Sequence, residues 1–435
     1  MSKKNNLIAG IILICLIGIY VALKSGILEP EIVDIPNDYE LSEAIFESEK
    51  DDIIEMQITN SDGSFSFKKD GEDWICQEKP EIELEQGNIN SLSWDYITLK
   101  PNKTIEEQAA NLEPYGLQQP QASIHLILKN HSEITFLLGN QVEGGGGYYF
   151  MEAGKNTVYL MGSLECNNLL HPLSYYRKSM LFSFAEESVK NVFYQVGGIS
   201  YKIKKIQQQQ WKMTEPYERE VYALSFSEQF LTPALQLTIT EFYDELTADK
   251  CGLNQPTYQL QISAGDESDV LLIGDENESG HYYAKWKNKE QIFGIQKDSL
   301  AFLEVSPLNF MQSYVYLPQI NTVESFIGTI QGKEFSMLIE RIDEETNYYF
   351  NGEKVESELW KEKFQILLTA EIIDFANEAK ANGEPIISYT AKLTDGTETK
   401  IAFYPLDERN YAVAYNDDIC FIVNKNSVDT IIENF

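Results

Sequence analysis

The strongest constraint on the fold is a stretch that occurs twice in the chain. Tyr115-Gly116-Leu117-Gln118-Gln119-Pro120 returns as Cys251-Gly252-Leu253-Asn254-Gln255-Pro256, and Gly252 lies 136 residues after Gly116. The motif is weak alone, but other residues return at nearly the same offset. These are Trp74 and Trp211, Gly139 and Gly274, Tyr148-Tyr149 and Tyr282-Tyr283, Ser163 and Ser299, and Pro172-Leu173 and Pro307-Leu308. One register shared by all of them indicates an internal duplication.

A third and more diverged copy follows the first two. Gly383 lies 131 residues after Gly252, and Ser427 lies 128 residues after Ser299, but the Gly-Leu pair is missing from this copy. A chain of 435 residues is also too long for one ordinary domain. We therefore predict a stalk over residues 29–44 and three repeats over residues 45–182, 183–316 and 317–435.

Hydrophobic periodicity within each copy predicts the fold class. Residues 54–58 alternate as a strand should, whereas Ile89, Leu92, Tyr96 and Leu99 share one face of a helix. Four short alternating runs separated by turn residues follow the Gly-Leu stretch and indicate an antiparallel meander. In copy two Pro233 interrupts the helical segment, so a break is expected there. The predicted class is α+β: an N-terminal transmembrane helix, then three repeats, each a short helix packed on an antiparallel β-meander.

The transmembrane prediction rests on an uncharged apolar run over residues 7–23. Lys3 and Lys4 precede the run and Lys24 follows it. Its length is at the short end for a membrane span, and Tyr20-Val21-Ala22 is a poor cleavage site. We therefore predict that residues 1–28 form an uncleaved single-pass signal anchor in the cell membrane. Lysines ahead of the run favour a cytoplasmic N-terminus, which places the bulk of the chain outside the cytoplasm.

The charge of the chain excludes one class of partner. The formal net charge is −34, and no stripe of lysine and arginine provides the basic footprint that nucleic-acid binding requires. An acidic surface of this kind indicates solubility and self-repulsion.

No sequence motif points to catalysis, a cofactor or a metal ion. The four histidines form no HxxxH or HxH pair, and the cysteines after the apolar run are scattered at non-equivalent repeat positions. Residues 144–147 are all glycine, but they lack the phosphate-loop pattern and are typical of a hairpin turn. Residues 275–280 resemble the first half of a calcium loop, but Trp286 stands where the bidentate glutamate belongs. We predict a non-enzyme without cofactors.

Aromatic residues make up 12% of the chain and allow two interpretations. Most of them lie in strand-like runs, so the first interpretation is β-rich structure. The second is an aromatic face that stacks on a glycan or a peptide. Its candidate contact residues are Tyr148, Tyr149, Tyr282, Tyr283 and Trp286.

The repeated pattern resembles a known family, the domain-of-unknown-function 4340 family. The residues that carry the resemblance are Trp74 and Trp211, the two Gly-Leu-x-x-Pro stretches, Leu138-Gly139 and Ile273-Gly274, and the two Tyr-Tyr pairs. The resemblance covers roughly residues 50 to 320 well, and copy two departs from it at Cys251. It implies a bacterial, membrane-anchored protein often encoded beside ABC-2-type transporter subunits and a gliding-motility-auxiliary-like protein, with no established catalytic residues.

Two functions follow as hypotheses. The first is an extracytoplasmic accessory or scaffold protein of an envelope transport complex of the ABC-2 type, with ABC-type permease or ATPase subunits as partners. The second is an extracytoplasmic module that binds a glycan or peptide through the aromatic face.

Overall fold

The computed structural model describes residues 43–265, 268–343, 345–376 and 383–435. The chain packs as two units, one ending at Lys178 and the other running from Ser179 to Phe435. The first unit contains one large antiparallel sheet and the second contains two. The small strands β1 (Phe46–Glu47) and β5 (Thr98–Leu99) pair separately in the first unit.

The three large sheets have the same plan: a ladder of hairpin strands, then a four-stranded meander, then an edge strand that precedes the meander in the chain. In spatial order the first sheet consists of β4 (Asp73–Cys76), β3 (Gly63–Asp70), β2 (Ile53–Asn60), β7 (Ala122–Leu128), β8 (Glu133–Gln141), β9 (Tyr148–Glu152), β10 (Val158–Met161) and β6 (Lys103–Glu106). The second consists of β14 (Arg219–Val221), β13 (Gln210–Glu215), β12 (Ile199–Gln207), β11 (Asn191–Val196), β16 (Tyr258–Ser263), β17 (Leu271–Glu276), β18 (His281–Trp286), β19 (Ile292–Gln296) and β15 (Glu241–Tyr243). The third consists of β23 (Glu353–Val355), β22 (Glu345–Phe350), β21 (Lys333–Ile342), β20 (Val323–Ile330), β25 (Ile387–Leu393), β26 (Glu398–Pro405), β27 (Asn410–Tyr415), β28 (Asp418–Asn424) and β24 (Ile372–Phe375).

Short helices accompany these sheets, and their buried apolar residues belong to the hydrophobic cores of the sheets. They are α1 (Gln86–Asp95), α2 (Ser163–Asn167), α3 (Ala223–Phe226), α4 (Thr232–Leu235), α5 (Ser357–Leu367) and α6 (Lys425–Asn434). In the second repeat a π-helical segment over Ser227–Leu231 lies between α3 and α4, and Pro233 lies in the first turn of α4. The backbone stays helical through both junctions, so the break predicted at Pro233 is not seen.

The predicted fold class is wrong, because the described chain is mostly β. The strands before the helix and those after it join one continuous sheet, since β2 pairs with β7, β11 with β16 and β20 with β25. A further strand after each helix, for example β6, returns to pair with the last strand of the meander. Each repeat is therefore a sheet of eight or nine strands carrying short helices, and not a helix on a four-stranded meander.

The predicted single-pass transmembrane helix and signal anchor are also corrected. No helix in residues 43–435, so far as they are described, is long and apolar enough to cross a membrane. The apolar run at residues 7–23 and the predicted stalk up to residue 42 lie outside the described residues.

The two copies of the Gly-Leu stretch occupy equivalent places. Gly116 ends the 3₁₀ turn Glu113–Tyr115, and Gly252 ends the turn Ala248–Cys251. Both glycines have φ of +69°, a left-handed conformation that other residues adopt only at a cost. This left-handed conformation explains why a glycine occurs at this position in both copies.

Within the second unit, a connecting segment joins the second and third sheets. The Tyr222 N–H donates to the Phe310 carbonyl at 2.7 Å, and the Gln312 N–H donates to the Glu220 carbonyl at 3.0 Å. Further along, the Val315 N–H donates to the Ala370 carbonyl at 3.0 Å. The segment therefore pairs first with the second repeat and then with the third, and both sheets share one hydrophobic core.

Arg219 stabilises this joint from inside. The side chain is 5% exposed, its Nη1 donates to the Val315 carbonyl at 2.9 Å, and its guanidinium lies 4.3 Å from the centre of the Phe421 ring. Burial lowers the pKa of Arg219 from its usual value. The chain uses an arginine here because a planar, weakly hydrated cation stacks on aromatic rings at a smaller desolvation cost than an ammonium.

We predict that Arg219→Ala lowers the free energy of unfolding by about 3 kcal/mol, since it removes a charged hydrogen bond and a buried cation–π contact. Arg219→Lys should not restore this stability, because lysine keeps the charge but loses the stacked plane. Urea denaturation measures both, with Arg409→Ala, at an exposed turn residue, as the neutral control. An alanine variant as stable as the control would contradict the role of Arg219.

Candidate functional site

The first Tyr-Tyr pair is divided between the two faces of its sheet. Tyr148 is 7% exposed in the main core, and its hydroxyl donates to Asn167 Oδ1 at 3.1 Å. Tyr149 lies on the opposite face in a smaller apolar cluster, where its ring packs edge-on against Tyr115 at 4.9 Å. Adjacent strand residues face opposite sides, so the two rings cannot form one surface.

The second pair and Trp286 are likewise engaged in packing. Tyr282 packs edge-on against Tyr258 at 5.9 Å, and Tyr283 packs edge-on against Tyr243 at 5.1 Å. The Trp286 ring meets Phe182 at 5.6 Å and is half-buried. The structure does not bring the five candidate aromatic residues together into one exposed face.

A Tyr–Glu contact that the sequence did not reveal recurs in two small apolar clusters. One lies around Leu117 and Tyr149 in the first repeat, and the other lies around Leu253 and Tyr283 in the second. In the first repeat the Tyr115 hydroxyl donates to Glu106 Oε2 at 2.7 Å, and in the second the Tyr243 hydroxyl donates to Glu241 Oε2. The tyrosines come from different positions, one from a 3₁₀ turn and one from β15. Sequence comparison missed the contact for this reason.

The Tyr243–Glu241 contact has more polar neighbours than the Tyr115–Glu106 contact, but its hydrogen bonds have a structural role. Asn277 Nδ2 donates to the Tyr243 hydroxyl at 2.8 Å, and His281 Nδ1 lies 3.7 Å from Glu241 Oε2. Burial and then the hydrogen bond to Glu241 raise the pKa of Tyr243, so the phenol stays protonated at neutral pH. A protonated phenol already donating to a carboxylate is a poor general base.

The other chemistry-bearing residues have structural surroundings as well. The four cysteines Cys76, Cys166, Cys251 and Cys420 are free and buried, and burial raises the pKa of each thiol. Such thiols are poor nucleophiles because the thiolate is the reactive form. Among the described residues no group of three or more histidine, cysteine, aspartate or glutamate side chains is placed to hold a metal ion.

The two turn motifs form turns. The Val142 N–H donates to the Gly147 carbonyl at 2.9 Å, which closes the glycine run as a loop before β9. Asn277 Oδ1 accepts from the backbone N–H groups of Ser279 and His281, which folds the acidic stretch back on itself. A backbone hydrogen bond explains the first motif, and hydrogen bonds to the Asn277 side chain explain the second.

The outer face of the third sheet carries exposed apolar residues. Phe326 and Met337 pair across β20 and β21 and point into the core, so their chain neighbours Ile327 and Leu338 face the other side. Ile327 is 60% exposed and Leu338 is 39% exposed. Tyr349 on β22 lies directly opposite Leu338, and Ile342, 53% exposed, continues the same face of β21. We call Ile327, Leu338, Ile342 and Tyr349 the outer patch.

The corresponding face of the first sheet is polar. Met56 and Phe67 pair in its core, and the neighbouring outward residues are Gln57 and Lys68, both exposed. The fold therefore does not require apolar residues at these positions.

Leu338 lies opposite Tyr349 and diagonal to Ile327, whereas Glu340 separates Ile342 from Leu338 on the same face. Single exposed apolar side chains are ordinary, and a group of neighbouring ones is a candidate interaction surface.

The fold and these surfaces define a tandem-repeat protein built from antiparallel sheets. Residues 74–256 match the model of DUF4340, a domain of unknown function, so this part of the chain is similar to that family. The matched span begins at Trp74 and ends at Pro256, so it runs from an anchor of the first repeat to the proline of the second Gly-Leu stretch. No curated protein matches the chain in sequence.

Proposed function

We propose that the protein is a non-catalytic scaffold of an envelope transport complex of the ABC-2 type, which binds a permease or ATPase subunit. The outer patch carries the proposal, because it places exposed aliphatic side chains on a sheet face whose counterpart in the first repeat is polar. Serial repeats offer a large surface for protein contacts. The transporter genes that the family resemblance implies supply the partner class by association.

The acidity of the chain favours a different protein over a second copy. A net charge of −34 makes two copies repel each other, whereas a less acidic partner avoids that cost. The third repeat is also the copy that has lost the Gly-Leu stretch. Divergence of the repeat signature together with gain of an apolar face is consistent with specialisation for a partner.

The test is co-purification of the full tagged chain after mild detergent solubilisation, with identification of the recovered chains. We expect an ABC-type permease or ATPase subunit with the wild type. Ile327→Thr together with Leu338→Thr should reduce its recovery at least about tenfold, because two central contacts that each contribute about 1 kcal/mol together change the affinity by more than tenfold. Threonine keeps strand propensity, so the sheet should remain folded.

Ile206→Thr is the matched control, because Ile206 is 56% exposed at the end of β12. The control should retain the partner. Equal loss in the control and in the patch variant would remove the patch from the proposal, and a wild-type chain that purifies without any transporter subunit would overturn the scaffold function. Protease added to intact spheroplasts tests the predicted location outside the cytoplasm, which requires digestion without lysis.

A further inference from the structure

A cleft in the first unit has the size of a small-ligand site. Its volume is about 560 Å³, within the usual range for ligand pockets. The end of α1 forms one wall, the turn between β3 and β4 forms another, and the segment before β2 and the turn after β7 complete it. This cleft is separate from the outer patch and does not depend on the proposed scaffold function.

Three lysines from three different segments line the cleft. They are Lys50, Lys69 and Lys129. Elsewhere on this acidic chain lysines commonly pair with carboxylates, as in Lys155–Glu152 and Lys202–Glu215, both at 2.7 Å. In the part of the chain that the structure describes, none of the three cleft lysines has a carboxylate oxygen within 4.0 Å. Lys69 Nζ lies 5.1 Å from the centre of the Trp74 ring and donates to the Glu72 carbonyl at 3.5 Å, so no carboxylate of the described residues offsets its charge. Lysines that line one cleft without an anionic partner favour an anionic ligand.

Trp94 supplies an aromatic surface at the same place. Its side chain is 53% exposed, and Lys50 Nζ lies 5.3 Å from the ring centroid. The offset that relates Trp74 to Trp211 leads from Trp94 to Leu231, so the second repeat has no tryptophan at this place in the sequence. An accessible indole is suited to stacking on a flat apolar surface of a ligand.

The remaining polar groups narrow the class of ligand. Asp51 and Glu72 also line the cleft, and ionised carboxylates only accept hydrogen bonds. They suit a ligand with several hydroxyl groups and disfavour one with many phosphates. A free anion would leave Trp94 unused, and a neutral sugar would leave the lysines unused. We propose that this cleft binds a negatively charged sugar, with the ring stacked on Trp94 and the phosphate or carboxylate held by the lysines.

Isothermal titration calorimetry of the full chain tests this with four probes: glucose 6-phosphate, galacturonate, glucose and inorganic phosphate. We expect at least one charged sugar to bind at least tenfold more tightly than both glucose and inorganic phosphate. Trp94→Ala and Lys129→Met should each weaken that binding at least tenfold. The two charged probes distinguish a phosphate from a carboxylate.

Lys155→Met is the matched control, because Lys155 is exposed and lies outside the cleft. It should bind as the wild type does, and circular dichroism should show all variants folded. Equal affinity for inorganic phosphate would reduce the site to an anion site, equal affinity for glucose would remove the lysines from it, and absence of binding by both charged sugars would overturn the proposal.

Discussion

Alkaline conditions should unfold this protein within about one to two pH units above pH 10, the ordinary titration range of tyrosine. The cause is a set of buried tyrosines, Tyr96, Tyr176, Tyr194 and Tyr389, each at most 4% exposed. Burial raises the pKa of each phenol above its usual value. Two of the four lie in each unit, so both units should respond.

The sign follows from proton binding in the two states. In the unfolded chain a tyrosine loses its proton near its ordinary pKa of about 10, whereas the buried phenol in the folded chain keeps it. The stability due to this protonation is fully present below the unfolded pKa and is lost as the pH rises toward the folded pKa. Each tyrosine then contributes a loss of about 1.4 kcal/mol per pH unit, so the two tyrosines of each unit together lose about 3 kcal/mol per pH unit. Over two pH units this loss reaches the lower part of the usual stability range of a domain.

Tyrosinate absorbance and circular dichroism, followed together against pH, check this prediction. The buried phenols should ionise only as the secondary structure is lost. Tyr96→Phe and Tyr194→Phe provide the matched variants, because both hydroxyls are buried without a hydrogen-bond partner in the described structure. Each change should move the transition to higher pH. Titration of all tyrosines near pH 10 with the sheets intact would contradict the burial argument.

The sequence predicted strands well where one face of the sheet is buried and the other is exposed. The run predicted over residues 54–58 lies inside β2, and Ala122, Ile124, Leu126 and Leu128 of β7 alternate inward as the pattern requires. Such alternation is visible in sequence because strand side chains have a period of two.

The predicted fold class was wrong because some strands do not alternate between buried and exposed residues. All four residues of β6 are exposed, so nothing in Lys103–Glu106 distinguishes it from a loop. It becomes a strand only because β10 offers hydrogen bonds at its edge. Likewise the pairing of β2 with β7 joins residues separated by α1, and such long-range pairing cannot be deduced from periodicity.

The candidate functional surfaces, like the long-range strand pairing, could not be deduced from the sequence. Sequence identified the Tyr-Tyr pairs because they repeat, and the structure shows that their rings belong to packing clusters. The outer patch and the lysine-lined cleft occur in single copies, so comparison of repeats could not find them. Repetition therefore located residues that maintain the fold, whereas residues specific to one repeat are the better functional candidates.

Gly139→Ala and Gly274→Ala should each destabilise the protein by about 3 kcal/mol, the upper part of the usual range for overpacking. A methyl group at Gly139 would lie less than 3.0 Å from the Tyr115 carbonyl oxygen, and one at Gly274 would lie less than 3.0 Å from that of Cys251. Neither backbone atom can move without displacing the turn that carries the Gly-Leu stretch. In each repeat the strand glycine and the Gly-Leu stretch, two separate parts of the repeated pattern, are therefore in direct contact.

Gly146→Ala separates this clash from the general effect of adding a side chain. Gly146, like Gly139 and Gly274, has no positive φ, and a methyl group there would meet no atom within 4 Å. It should leave the free energy of unfolding unchanged or slightly raised, since alanine restricts the unfolded chain. Urea denaturation of the three variants measures the difference. If Gly139→Ala were as stable as Gly146→Ala, the close approach of strand and turn could not explain the repeated glycine.

The two costly variants also compare the copies with each other. In both repeats a glycine on the second strand of the meander lies against the carbonyl oxygen of the residue that precedes the left-handed glycine. The residue after the strand glycine then packs against the left-handed glycine itself: Asn140 against Gly116, and Asp275 against Gly252. Equal losses of stability are expected if the duplication preserved this contact as a unit. A loss in one variant and none in the other would mean that one copy accommodates the methyl group by shifting its turn, and that the contact is essential in only one repeat.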